Sequence, residues 1–334
     1  MNRVVNRVMQ RLLIALLLTV APALSGCLDL AFVWFNPVTI EEYDPLPFPQ
    51  VPEEYIEFVE LPGTAVEDEE EAPVLWGVWL HQCLDDTPES CADHTEHPEF
   101  AEDRRERTLL YFHGNGGNLL HYWDRMQILW RMGFRIFAID YRGYGRSTGD
   151  PSELGVFADA QTALAHVKRR VAAEIPQLDP EDPPGAAVLR LGYYGWSLGS
   201  TAAIDLSTID PPSALVTEAA LASAQAFVDD AIGIGIASET FMSPQFDNQG
   251  KVATIVAPKL FAHGTEDTFV KFTFSEVLLE SAADPKELYP VPGAGHGSVP
   301  CPSRDTEVPS TEAPCVATDG YLDRIGTFYD ENLF

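Results

Sequence analysis

The feature that most limits what this chain can fold into is Gly195-Trp196-Ser197-Leu198-Gly199, set between an apolar run and a helical pattern. The pentapeptide alone is common. Its setting is not, because a strand that turns within one residue into a helix forces the backbone at Ser197 into a strained conformation. Glycine two residues to either side lets neighbouring backbone approach where a Cβ would clash. The serine oxygen then stands exposed at the end of a sheet. A serine hydroxyl is a weak nucleophile until a base takes its proton, so the motif predicts an acid and a histidine further along, in that order.

Both are found. The apolar run Lys259 to Ala262 leads into His263-Gly264-Thr265-Glu266-Asp267, which puts Asp267 in a turn at the end of a strand. The run Glu287 to Val291 leads into Gly293-Ala294-Gly295-His296-Gly297, a glycine loop able to carry an imidazole over the sheet. In this arrangement Asp267 fixes the tautomer of His296, and His296 deprotonates Ser197 and later protonates the leaving group. Developing charge on the substrate oxygen needs two fixed N–H donors. Leu198, directly after the serine, is expected to supply one. The turn His113-Gly114-Asn115-Gly116 is expected to supply the other, through Asn115 with Gly116 as the fallback. His113 itself reads as a support for that turn.

Strand and helix signals alternate around these motifs. Strands are expected over Tyr55 to Leu61, Val74 to Leu80, Thr108 to Phe112, Phe134 to Asp140, Val188 to Tyr194, Ala214 to Thr217, Lys259 to Ala262 and Glu287 to Val291. Helices are expected over Tyr122 to Arg131, Val156 to Val171, Leu198 to Leu206, Thr273 to Ser281 and Tyr321 to Tyr329. Such alternation predicts an α/β protein with a mostly parallel sheet covered on both faces. At 334 residues and 46% hydrophobic, the chain can fill one large core.

The segments HGNGGN (113–118), DYRGYGRSTG (140–149), GWSLGS (195–200), HGTEDTFV (263–270) and GAGH (293–296) together resemble a small-cap branch of the α/β-hydrolase superfamily. That branch includes fungal polarity-associated membrane hydrolases, animal protein depalmitoylases and many bacterial members. The resemblance spans about 54 to 334. It implies the α/β-hydrolase fold with a short cap over 219–257, and hydrolysis of carboxylic esters or thioesters without metal or organic cofactor. Lys271 departs from the proline usual after Val270, and the stretches carrying Cys83 and Cys91, and Cys301 and Cys315, are additions to the pattern. An amidase or peptidase using the same three residues, and a non-catalytic envelope binding protein on this fold, are the competing readings.

The first 26 residues read as an export signal. Arg3, Arg7 and Arg11 precede a nearly unbroken apolar stretch from Leu12 to Leu24, shorter than the roughly 20 residues of a bilayer span. Leu24-Ser25-Gly26-Cys27 resembles the lipobox of bacterial lipoproteins, which implies lipidation of Cys27 and anchorage in the cell envelope, on a periplasmic or outer-surface face. Residues 27–53 then read as a proline-rich tether to a domain over 54–334. Of five cysteines, Cys27 is assigned to the lipid. The other four allow three pairings, of which Cys83 with Cys91 and Cys301 with Cys315 closes the shortest loops, and an oxidising compartment favours it over free thiols.

The formal net charge of −30 repels phosphate backbones and argues against a nucleic-acid partner. The acidic run Glu67 to Glu71 reads as a solvated loop, and His94 with His97 as an exposed pair without further metal ligands. Gly143, Gly145 and Gly149 do not have dinucleotide-loop spacing, and no Walker motif occurs. His263 reads as packed beside the acid turn, and Glu218 as packing at the end of its strand or bordering the pocket. In the cap, Phe227, Val228, Ile232, Ile234, Ile236, Phe241 and Met242 read as contacts with the body or as an acyl-binding face. The expected partners are therefore a small acyl ester or thioester substrate and a membrane.

Overall fold

The computed structural model describes residues 28–29, 35–44, 46, 51–67, 69–82, 107–174, 190–232, 242–243, 246–298 and 319–333. Eight strands form one sheet: β1 (Ile56–Pro62), β2 (Val74–Leu80), β3 (Thr108–Phe112), β4 (Arg135–Asp140), β5 (Leu191–Trp196), β6 (Ala214–Glu218), β7 (Lys259–Gly264) and β8 (Lys286–Val291). Their order is β8-β7-β6-β5-β3-β4-β2-β1. β2 runs antiparallel to both neighbours, and every pair from β4 to β8 is parallel.

The central strands are apolar on both faces because helices cover both, and their side chains alternate between two cores. Leu110, Phe112, Tyr193, Leu215 and Phe261 pack on one face with helices α2 (Glu153–Glu174), α3 (Leu198–Ile209) and α6 (Phe272–Ser281). Leu109, Tyr111, Tyr194, Val216 and Leu260 pack on the other, with α1 (Trp123–Arg131) and α7 (Asp319–Asn332). Two further helices, α4 (Ala224–Ile232) and α5 (Asn248–Val252), lie between β6 and β7, in the region expected to form the cap. Ile234, Ile236 and Phe241 of that region lie outside the described residues.

The strand expected from residue 188 to 194 is found as 191–196, running directly into the turn at Ser197. A larger difference concerns the spacer expected over 27–53. Residues 35–43 are part of the fold. Phe35 and Tyr43 are buried. Asn36–Pro37 pairs with Gly116–Gly117, Val38 N–H donates to the Gly117 carbonyl at 2.9 Å, and Val38 and Ile40 exchange bonds with Gly145. Tyr43 stacks on Phe58 at 4.7 Å and its hydroxyl donates to the buried carboxylate of Asp140. Pro37 favours extended chain, and extended chain can satisfy its polar groups on a neighbouring turn as readily as in water. Further upstream, Leu28–Asp29 pairs with Met242–Ser243.

The acidic run is also less free than expected. Glu69 reaches Arg142 at 2.6 Å, and Arg142 is wholly buried with Asp159 at 2.7 Å.

Candidate active site

All three triad candidates sit at the carboxyl ends of parallel strands, where their loops converge on one edge of the sheet. Ser197 follows β5 with φ 53°, in the left-handed region that non-glycine residues rarely adopt. Its amide donates to the Glu218 carbonyl at 2.8 Å, and Ser200 Oγ donates back to the Gly195 carbonyl at 2.8 Å. The flanking glycines are required by space. A Cβ on Gly195 would stand 2.4 Å from the Gly199 carbonyl oxygen, and one on Gly199 would stand 2.0 Å from that of Phe112.

His296 Nε2 lies 3.1 Å from Ser197 Oγ, and its Nδ1 lies 2.8 Å from Asp267 Oδ2. With Nδ1 donating to a carboxylate, Nε2 is the acceptor for the serine proton. Ser197 is 6% exposed and His296 9%, so the contact is largely shielded from water. Asp267 Oδ1 accepts the amides of Phe269 and Val270, each at 2.9 Å. Burial pushes the Asp267 carboxyl up, but the hydrogen bonds from His263 and His296 outweigh it and hold its pKa at about 2. His263 is packed under the acid turn, as expected, and also bonded to it. Its Nε2 faces two acceptors, Val270 O at 2.8 Å and Asp267 Oδ2 at 3.3 Å, so Nε2 carries the proton and Nδ1 accepts from Ser275 Oγ at 2.7 Å. The rings of Trp196 and Phe269 flank His296 at 5.1 and 5.0 Å. Phe269 is 52% exposed and meets Phe227 of α4 edge-on, which brings the cap region to the site.

Leu198 opens α3, where a first-turn amide has no intrahelical acceptor. Asn115 lies in the turn after β3, and β3 and β5 pair through Phe112 and Gly195, so the two proposed donors come from adjacent strand ends. That turn is tied down on several sides. Asn115 Oδ1 accepts the Asn36 amide at 2.8 Å and the Tyr144 hydroxyl at 3.1 Å. Tyr122 donates to the Gly116 carbonyl at 2.6 Å, and Tyr141 donates to the carbonyl of the wholly buried His113 at 2.9 Å.

Glu218 is buried and salt-bridged to Arg125 at 2.6 Å, with the hydroxyls of Tyr194 and Tyr321 on its other oxygen. Arg125 gave no signal in the sequence. It lies in an amphipathic helix where an arginine ordinarily faces solvent. Cys27, Cys83, Cys91, Cys301, Cys315, His94 and His97 lie outside the described residues. Among the described residues no three His, Cys, Asp or Glu side chains are grouped to hold a metal ion, and no helix is long and apolar enough to cross a membrane.

The strand order, the elbow after β5 and the loops after β7 and β8 define the α/β-hydrolase fold. The chain is similar in structure to an esterase of Pyrococcus furiosus, with a TM-score of 0.56 and 17% identity over 90% of this chain and 100% of that one. In sequence it is 31% identical over 199 residues to human alpha/beta hydrolase domain-containing protein 17B, covering 58% of this chain and 61% of that protein. It is also 31% identical over 188 residues to an uncharacterized protein of Mycobacterium tuberculosis, covering 56% and 62%. The chain thus spans about three fifths of the length of the curated relatives it matches. No family model matches.

Proposed function

We propose that this protein is a serine hydrolase that cleaves carboxylic esters or thioesters through an acyl-enzyme on Ser197. The observation that carries the reading is the unbroken contact chain from Ser197 Oγ through His296 to Asp267, at 3.1 and 2.8 Å. Ser197 Oγ attacks the acyl carbon while its proton passes to His296 Nε2. The oxyanion so formed is met by the amides of Leu198 and Asn115. Collapse breaks the bond to the leaving group, which takes the proton from His296. Water then repeats the sequence on the acyl-enzyme, giving the free acid and Ser197. Asp267, ionised throughout the neutral range, stabilises the imidazolium formed at each step. Similarity to an esterase and to an alpha/beta hydrolase domain-containing protein supports this chemistry.

The protein is exported, lipidated at Cys27 and held on the cell envelope, with Cys83 paired to Cys91 and Cys301 to Cys315. Its substrate is a small acyl ester or thioester. The half-exposed Phe269 and the adjoining Phe227 favour an apolar group there.

The test is turnover of p-nitrophenyl esters of rising chain length, beside labelling by a fluorophosphonate. Wild type is expected to hydrolyse and to label, and Ser197→Ala to do neither. His296→Ala is expected to lose about 10³-fold or more in turnover and Asp267→Asn about 10⁴-fold. A loss below tenfold for either rejects that residue's role. Peptide amides outpacing esters would select the amidase reading instead, and absence of any adduct would select the binding protein.

A further inference from the structure

Ser197 and His296 come from loops far apart in the chain, and their separation must be held to a fraction of an ångström for proton transfer. The elbow is fixed by its own turn. The His296 loop is tied to the acid turn, where Glu266 N–H donates to the Ala294 carbonyl and Gly293 N–H to Thr265 Oγ1, each at 2.9 Å. Those bonds do not tie the loop to the elbow, and one buried side chain touches the chain neighbours of both Ser197 and His296. Arg125 donates from Nη1 to Glu218 Oε1 at 2.6 Å and from Nη2 to the carbonyl of Gly297, the residue after His296, at 3.1 Å. The same guanidinium lies 4.3 Å from the ring centroid of Trp196, the residue before Ser197. Glu218 in turn receives the Ser197 amide on its backbone carbonyl at 2.8 Å.

These contacts close a ring. It runs from Ser197 to the Glu218 backbone, through the Glu218 carboxylate to Arg125, on to Gly297 and His296, and from the imidazole back to Ser197. Packing alone does not call for a charge here. Removing two charges from water is costly, and apolar side chains of equal volume would fill the space as well or better. What a guanidinium adds is a planar fork that bonds in two fixed directions at once, which neither an apolar side chain nor a lysine can do. From this ring, and resting on the reading of Ser197 and His296 as nucleophile and base, we infer that Arg125 is a positioning residue that holds the His296 loop in register with the elbow. Glu218 is its anchor, and the hydroxyls of Tyr194 and Tyr321 orient that anchor.

The inference separates from a merely structural role by counting active sites. Wild type, Arg125→Lys and the charge-neutral pair Arg125→Gln with Glu218→Gln are titrated with fluorophosphonate, and turnover is expressed per titrated site. Arg125→Lys keeps a cation beside Glu218 but cannot fork to Gly297. The neutral pair leaves no unpaired buried charge, which covers the case in which Arg125→Lys does not fold. Expected is a fall in kcat of about ten- to a hundredfold per site, with KM changed by less than about twofold because the substrate pocket is untouched. If Arg125 served packing alone, thermal stability and the titratable fraction would drop while kcat per site stayed at the wild-type value. That result overturns the inference. A wild type that neither labels nor hydrolyses esters would instead overturn the hydrolase reading, so the two failures are distinguishable.

Discussion

At the scale of single residues, the acid of the proposed triad shows how much preparation one carboxylate needs. Asp267 has two backbone amides on one oxygen and two imidazoles on the other. The result is a folded-state pKa of about 2, below the ordinary value of 3.8. A carboxyl depressed on folding stabilises the native state fully above its unfolded pKa, and loses that contribution as the pH falls through the folded one. For Asp267 the window runs from 3.8 down to about 2 and corresponds to about 2 kcal/mol. Denaturant melts of wild type and Asp267→Asn across that range are expected to converge as the pH falls, because the variant lacks the ionisation. Parallel curves would show that the carboxylate is not held as described. The sequence could place this aspartate and its partner His296, but not its bond to His263. His263, four residues earlier, is legible as a packed residue, whereas its bond to the acid depends on Ser275 fixing the tautomer from a different element.

At the scale of elements, the elbow is the part most completely written in the sequence. Two glycines, a strand before and a helix after are local facts, and local facts hold whatever packs around them. The spacing is set by backbone. A methyl group on Gly199 would sit 2.0 Å from the Phe112 carbonyl, in the neighbouring strand, where nothing can rotate aside. Gly199→Ala is expected to cost about 3 kcal/mol in thermal or chemical denaturation, and to lose activity in proportion to unfolded protein. Wild-type stability would mean that β3 and the elbow are not in contact. Arg125 and Glu218 are the converse case. Arg125 carries no signal in its helix and Glu218 reads only as packing or as a border of the pocket, and only the packing of α1 against the end of β6 makes a pair of them. Pairing across about ninety residues leaves no periodic trace.

For the whole molecule, the order of elements and the placement of the candidate site at the ends of β5, β7 and β8 are legible, because buried parallel strands are apolar throughout and the motifs lie in the loops that follow them. The N-terminal segment is not. A two-residue pairing has no alternation to detect, and prolines suggested a free spacer where residues 35–43 are joined to the turns at Gly117 and Gly145. The two halves of the N-terminus are therefore expected to behave differently. Cys27→Ser should release the protein into the aqueous phase of a detergent partition with turnover unchanged. Removal through Asp44 should lower turnover, since it takes away the bonds from Asn36 to Asn115 and from Val38 to Gly117. Equal turnover in both would return the segment to the role of a plain spacer. If the loss is found, the segment is not mechanically silent. Tension applied where the chain enters the domain would be delivered first to the turn that carries Asn115, so strain on this segment would be registered as a change in rate.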